Sequence, residues 1–150
     1  MRYANLLALA VAVTLRAGGA LAAGCTISSA GPVAFGSYDV FSTSPTDTTG
    51  SISYSCTQPV LAPVISISAG GGTFTQRKLA SGAHSLEYNL FLDAGHSQVW
   101  GDGTSGTYTH TGAAPADSQT YNVTIFGRIA ARQNVPAGSY GDSLVVTLDF

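Results

Sequence analysis

The sequence predicts an all-β fold, an antiparallel sandwich, and three observations lead to it. Apolar and polar residues alternate in several short segments, which is the pattern of half-buried strands. Turn-forming residues separate these segments, with Gly at 18 of 150 positions. Apolar residues make up 45% of the chain and charged residues only 9%, so the composition is that of neither a disordered nor a nucleic-acid-binding protein.

The strand predictions follow the chain in order. Residues 51–56 alternate perfectly, and residues 64–68 repeat the pattern before Gly70-Gly71-Gly72, where a hairpin or a sheet corner is expected. Residues 86–92, 120–126 and 143–150 complete the set, whereas 35–38 and 101–111 are predicted to be loops with short edge strands at most. No window shows sustained helical spacing. An antiparallel sandwich of immunoglobulin type fits this series.

The first 22 residues are predicted to be an export signal. Arg2 precedes an apolar run over residues 6–15 that is too short to span a bilayer, and Ala20-Leu21-Ala22 is a small-x-small cleavage motif. Cleavage before Ala23 leaves residues 23–150 as one domain. That domain carries four basic and eight acidic residues, a net charge of −4, which does not favour nucleic acid or anionic lipid as a partner.

The predicted export determines how the two cysteines are interpreted. In an oxidising compartment, Cys25 and Cys56 are expected to form one disulfide, which contributes roughly 3 to 4 kcal/mol to stability in the chain-entropy model. A second interpretation stays open, because residues 21–25 resemble a lipoprotein signal in which Cys25 is acylated. The disulfide is favoured, since acylation of Cys25 would leave Cys56 unpaired.

No catalytic, metal or cofactor site is expected. The three histidines lie far apart in turn-rich stretches, unlike a typical set of metal ligands: His84, His96 and His110. Asp93 and Asp102 flank Trp100 and resemble the two carboxylates of a glycosidase beside an aromatic platform. Asp-Ala and Asp-Gly in loops are, however, far more typical of turns, which the aspartate forms by bonding to its own backbone.

The last predicted strand carries one continuous apolar face. Leu144, Val146, Leu148 and Phe150 alternate with polar or outward-facing residues, and we call these four the terminal-strand face. No later strand is expected to pair with this one. An apolar strand at a sheet edge favours aggregation in a monomer and docking in an assembly.

A series of motifs resembles the spore coat protein U domain family, which overlaps the secreted pilins of archaic chaperone-usher systems in Gram-negative bacteria. The resemblance spans nearly all of residues 23–150, in the right order. The motifs are Cys25 with Cys56, Phe35-Gly36-x-Tyr38, Arg77-Lys78-Leu79, Leu86-x-Tyr88-Asn89-Leu90-Phe91, Val99-Trp100-Gly101-Asp102-Gly103-Thr104, Phe126-Gly127-Arg128-Ile129 and Gln133-x-Val135-Pro136-Ala137-Gly138-Ser139-Tyr140-x-Asp142.

The resemblance implies an incomplete sandwich that lacks one strand. Such a domain is held in the periplasm by a chaperone and is then completed by the N-terminal extension of a neighbouring subunit. The terminal-strand face would line the strand-acceptor groove and contact the chaperone, and the Phe150 carboxylate would bind basic residues of that chaperone. Trp100, Tyr88 and Phe126 would then belong to the core or to structural loops.

One departure from the pilin pattern lies before the first cysteine. A shaft subunit carries its own donor strand there, whereas cleavage before Ala23 leaves only Ala23 and Gly24. The chain is therefore expected to accept a strand without giving one, either at a fibre end or outside a polymer. Cleavage at Ala10-Val11-Ala12 would instead leave an alternating donor, but only a short apolar core for the export signal.

The predicted function is a secreted structural subunit of a surface fibre that supports adhesion and biofilm formation, and not an enzyme. Its expected partners are a periplasmic chaperone, an outer-membrane usher and other pilin subunits, first in the periplasm and then at the surface of a Gram-negative bacterium. The alternatives are a non-polymeric coat or matrix protein, or an adhesin that binds a glycan or abiotic surface through an exposed platform of Trp100 and Tyr108. A secreted hydrolase using Asp93 or Asp102 is the third hypothesis.

Overall fold

A computed structural model describes residues 24–57, 62–113 and 119–150 in full, and residues 3–6 and 10–13 as backbone strands. Regular structure in these ranges is entirely β. The strands are β1 (Tyr3–Leu6), β2 (Ala10–Val13), β3 (Cys25–Ala30), β4 (Ser37–Asp39), β5 (Thr46–Cys56), β6 (Val64–Ile67), β7 (Arg77–Ser81), β8 (His84–Phe91), β9 (His110–Thr111), β10 (Thr120–Ile129), β11 (Ser139–Tyr140) and β12 (Ser143–Asp149). None of the described residues form a helix long and apolar enough to cross a membrane.

The strands form three sheets. The largest has five strands in the order β3-β5-β10-β8-β7, and every pairing within it is antiparallel. A second sheet has the order β2-β12-β6-β9, and a small third sheet has the order β11-β1-β4. Pairing between the named strands is antiparallel except where β1 meets β11 and β2 meets β12.

One apolar core lies between the sheets. Alternate residues of each long strand point inward, as in β12, where Leu144, Val146 and Leu148 are buried. The five-stranded sheet contributes residues such as Ile52 and Leu90 to the same cluster. The burial of alternating faces from both layers is what makes the fold a sandwich.

Two glycines let a loop cross closely over the five-stranded sheet. A Cβ atom on Gly50 would lie 2.8 Å from Val33 Cγ2, and one on Gly127 would lie 2.8 Å from Val33 Cγ1. Gly127 would also meet the Phe35 ring at 2.9 Å. The glycines at these strand positions are therefore needed for the close packing of the segment before β4.

The disulfide joins neighbouring strands, because Cys25 and Cys56 stand directly opposite each other on β3 and β5. The all-β fold, its antiparallel pairing and the disulfide are thus confirmed. A disulfide at Cys25 also leaves no thiol for the acylation considered as the second interpretation.

Strand bounds differ from the sequence prediction in two long strands. β5 begins at Thr46 rather than near residue 51, and β10 continues to Ile129 rather than residue 126. The added residues pair with each other, from Thr46 opposite Ile129 to Thr49 opposite Phe126. Residues 46–51 are small and polar on both faces, so alternation of polarity could not reveal this part of β5.

Candidate strand-accepting groove

Two backbone segments near the start of the chain lie along the edge formed by β11 and β12. β1 runs parallel to β11, with Asn5 opposite Ser139. β2 runs parallel to β12, with Val13 opposite Val146. Because β11 and β12 follow each other closely in the chain, strands β1 and β2 track residues 139–146 in one direction.

The other side of β1 is also paired. β1 runs antiparallel to β4, with Asn5 opposite Ser37. β1 is thus the central strand of its sheet and is the sheet partner of β4. We call the position between β4 and β11, together with its continuation along the edge of β12, the candidate groove.

The terminal-strand face lies mainly in the core. Leu144, Val146 and Leu148 are 1–2% exposed, whereas Phe150 is 39% exposed. Leu144 and Val146 stand opposite β2, while Leu148 lies beyond the last described residue of β2 and pairs through β6. The role of these four residues as groove lining and chaperone contact stays a prediction.

The sequence did not predict that β4 and β11 form the two sides of the candidate groove. Tyr38 on β4 and Tyr140 on β11 are fully buried, so both sides of the groove are anchored in the core. The Tyr38 hydroxyl donates to the Ala130 carbonyl at 2.8 Å and accepts from the Gln133 backbone N–H at 2.8 Å. The motifs marked both tyrosines, but a three-residue and a two-residue strand have too little alternation to be recognised.

A buried cation links the two large sheets. Arg77 on β7 has no exposed surface, and its guanidinium donates to the Trp100 carbonyl at 2.7 Å and to the Ser68 carbonyl at 2.9 Å. It also donates to Asn89 Oδ1 at 2.6 Å and lies 5.5 Å from the Phe74 ring centroid. Burial lowers the pKa of Arg77 to about 10, so the side chain stays charged at neutral pH.

A carboxylate lies close to this cation at the start of β12. Asp142 accepts hydrogen bonds from the Tyr88 hydroxyl at 2.7 Å and from the Gly71 N–H at 2.9 Å. Burial, and then the bond to Asp142, raise the pKa of Tyr88 above its ordinary value. The negative charge of Asp142 in turn favours the charged form of Arg77. These bonds fix the turn that leads from β11 into β12.

The proposed aromatic platform is wrong for one of its two residues. Trp100 is 0% exposed and its indole N–H donates to the Ile65 carbonyl at 3.0 Å, so Trp100 belongs to the core. Indole is large and apolar with a single donor, and its burial with that donor paired is favourable. Tyr108 is 51% exposed, and Phe41, which the sequence did not single out, is 67% exposed.

The two loop aspartates act as turn formers. Asp93 accepts from the backbone N–H groups of Gln98 and Ser97, and Asp102 accepts from the hydroxyl and N–H of Thr104. These bonds lower the pKa of both carboxyls, the largest contributions coming from Gln98 and Thr104 respectively. A glycosidase acid needs a raised pKa, and neither carboxyl has one.

The histidines lie in different places. His84 is exposed at the first position of β8, and His110 on β9 lies 6.0 Å from the Trp100 ring. His96 packs edge-on against Phe91, 3.9 Å from the Asp47 carboxylate. No group of acidic, cysteine or histidine side chains able to hold a metal ion occurs among the described residues.

A shallow cavity of about 380 Å³ opens on the outer face of the five-stranded sheet. Its lining includes Glu87, Phe91 and Arg128. Arg128 is already held by Asp47 through two bonds of 2.7 Å, and Glu87 accepts from Gln76 at 3.2 Å. The charged groups of this cavity thus already have partners within the chain.

Comparison with known proteins agrees with this architecture. A crystal structure titled as the CsuC-CsuE chaperone-tip adhesion subunit pre-assembly complex, from archaic chaperone-usher Csu pili of Acinetobacter baumannii, contains a chain of similar fold, with a TM-score of 0.52 and 21% identity. The match covers 69% of this chain but only 34% of that one. No curated protein sequence matches significantly. The family model of the Spore Coat Protein U domain matches residues 10–147, most of the sequence, and the chain therefore belongs to the Spore Coat Protein U domain family.

Proposed function

We propose that this chain is an exported structural subunit of a surface fibre of the archaic chaperone-usher type, completed by a strand in the candidate groove. The observation that carries the proposal is the pairing of β1 on both sides, with β4 and with β11, and its continuation as β2 beside β12. A position that accepts backbone pairing from both sides is suited to binding an extended segment of another chain.

The physical basis is strand addition. Backbone hydrogen bonds from the groove edges supply affinity, and the core-facing surface beneath the groove selects a segment with alternating apolar residues. Leu144 and Val146 face this core from the β12 side, and Tyr38 and Tyr140 do so from β4 and β11. Because side chains alternate along a strand, a donor shifted by one residue would present its polar side to the core.

The partners of the proposal are a periplasmic chaperone, an outer-membrane usher and other subunits. The matched crystal structure is titled as a chaperone bound to a tip adhesion subunit of such a system, and this supports a chaperone partner here. Export by the predicted signal over residues 1–22 would bring the chain to the periplasm and then to the cell surface. Adhesion and biofilm formation would follow from fibre assembly.

The test uses residues 23–150 refolded with the disulfide intact. Alone, this protein is expected to self-associate or to remain partly open, because the groove edges are unpaired. A peptide of alternating apolar and polar residues is expected to produce a stable monomeric complex, measured by light scattering and thermal melting. A peptide of the same composition with its apolar residues grouped together serves as control. A stable monomer that binds neither peptide would contradict the proposal.

A second candidate is an adhesive tip subunit. The exposure of Phe41 and Tyr108 is the observation that favours it, since large exposed apolar side chains are typical of binding surfaces. The variants Phe41→Ser and Tyr108→Ser should then reduce attachment of the secreted protein to glycan or hydrophobic surfaces without changing its folding. Unchanged attachment by both variants would contradict the adhesive role and leave the structural role as the proposed function.

A further inference from the structure

We propose that the chain controls its own groove, because strands β1 and β2 fill the candidate groove in cis and removal of residues 1–22 opens it. This inference rests on the proposed function, since it concerns the regulation of the same groove. The segment that the sequence predicts to be removed is the segment that supplies both β1 and β2. The family match begins at residue 10, the first residue of β2, so the family domain also includes part of it.

Loss of β1 and β2 would remove strand pairing from both parts of the candidate groove. β1 lies between β11 and β4, so its loss separates these two strands and removes the sheet partner of β4. β2 is the outer neighbour of β12, so its loss uncovers the β12 edge from Ser143 to Val146. One processing event would therefore open both halves of the groove together.

Chain length permits this pairing within one molecule. The connection from Val13 to Cys25 can extend roughly 40 Å at full stretch. β3, which starts at Cys25, approaches β12 to within 8 Å between Cα atoms. A tethered strand also experiences an effective concentration in the millimolar range, so pairing in cis competes strongly with a strand from a second chain.

The parallel direction of β1 and β2 makes it easier for another strand to replace them in the groove. The pairing of β1 with β11 and of β2 with β12 is parallel, and parallel pairing is slightly less stable per residue than antiparallel pairing. We therefore expect the segment to block the groove in the full chain and to be lost readily after cleavage between Ala22 and Ala23.

The first experiment compares backbone variants of the full chain by hydrogen exchange. Val11→Pro combined with Ala12→Pro removes two adjacent N–H groups from β2, one of which faces β12 whichever way the strand is turned. The control is Ala17→Pro combined with Gly18→Pro, outside both strands. Exchange at residues 143–146 should be about tenfold faster in the first variant and unchanged in the control. Equal exchange in the two variants would overturn the inference.

The second experiment measures binding of a fluorescent peptide of residues 3–13, carrying solubilising lysines, to three proteins. The trimmed protein 23–150 and the Val11→Pro/Ala12→Pro variant should bind it at least about tenfold more tightly than the full chain does, because the full chain supplies the same segment in cis. Equal binding to all three would reject control in cis while leaving the proposed function intact. If none binds and the trimmed protein is a stable monomer, the proposed function itself fails.

A third protein guards against failure of the trimmed chain to fold. A protease site inserted between Ala17 and Gly18 allows the full chain to fold first and to be cut afterwards. Dilution after cutting should then release the N-terminal fragment and accelerate exchange at residues 143–146. Retention of full protection after cutting and dilution would show that the segment does not act as a removable strand.

Discussion

At the scale of single residues, Arg77 shows how a charge is accommodated in the core of this sandwich. Its guanidinium has no exposed surface, yet its donors reach three backbone carbonyls and an amide oxygen on three different segments. Carbonyl oxygens left without donors in a buried site cost free energy, and here one side chain satisfies several of them. Arg77 therefore connects β6, β8 and the segment that holds Trp100.

Replacement of this cation tests that connection. Arg77→Met should lower the free energy of unfolding by roughly 3–5 kcal/mol, because the carbonyls of Ser68 and Trp100 lose their buried donors. Lys78→Met, at the next position of the same strand but facing outward, is the control and should change stability little. Urea unfolding measures both. If Arg77→Met lowers the free energy of unfolding no more than Lys78→Met does, the hydrogen bonds of Arg77 do not stabilise the fold.

His110 gives a pH dependence with a definite sign. Burial lowers the pKa of His110 from its ordinary value of 6.5, so the unfolded chain binds a proton more readily than the folded one. Stability is therefore full above about pH 6.5 and should fall as the pH drops below it. Asp47, Asp93 and Asp102 have lowered pKa values, so their contribution is lost only below about pH 4.

The measurement is the urea midpoint between about pH 7 and about pH 5. His110→Gln should flatten the dependence in this range, because a neutral amide replaces the titrating ring. His84→Gln, at the exposed first residue of β8, is the control and should retain the pH dependence. An identical slope in wild type and in His110→Gln would assign the acid sensitivity to another group.

At the scale of elements, a side chain extends a sheet beyond the end of a strand. β10 pairs with β8 only as far as Ile129 opposite Tyr88. At the next residue of β8, the Glu87 N–H donates to Gln133 Oε1 at 2.7 Å and its carbonyl accepts from Gln133 Nε2 at 2.8 Å. The amide thus takes the place of a strand residue, which explains a polar residue in this motif.

The Gln133→Ala variant should lower the free energy of unfolding by about 1–3 kcal/mol. The Glu87 N–H and the Glu87 carbonyl, which are partly buried, both lose their hydrogen bonds to Gln133. The variant should also speed hydrogen exchange at the Glu87 amide. Gln98→Ala, an exposed side chain, is the matched control. Protection of the Glu87 amide that survives the loss of Gln133 would show that the side chain does not extend the sheet.

At the scale of the whole molecule, the disulfide acts on the folding equilibrium. The bond between Cys25 and Cys56 closes a loop that contains β3, β4 and β5, so the unfolded chain is restricted over this loop. Cys25→Ala combined with Cys56→Ala should lower the free energy of unfolding by roughly 3–4 kcal/mol. Calorimetry with and without reductant measures it, and reductant should leave the double variant unchanged. A Tm of the wild type that does not respond to reductant would contradict the expectation.

Much of the fold was predictable because it depends on local alternation. The strands around Ile52, Leu90 and Val146 each alternate clearly, and the pairing of the two cysteines follows from the predicted export alone. The start of β5 and the short β4 and β11 were not predictable, since small polar or very short strands carry little pattern. The burial of Trp100 also depends on a neighbour, the Ile65 carbonyl, that only folding brings near.

The sequence by itself determined the all-β class, the disulfide and an apolar last strand, because these follow from residue type and spacing of two along the chain. The tertiary structure alone decided that β4 and β11 face each other across β1, that Trp100 is buried, and that β1 and β2 lie against the β11–β12 edge. The physical reason is that backbone hydrogen bonds between distant strands are nearly independent of side-chain identity. Pattern in the sequence identifies a strand, whereas its neighbours are chosen by the packing of the whole sandwich.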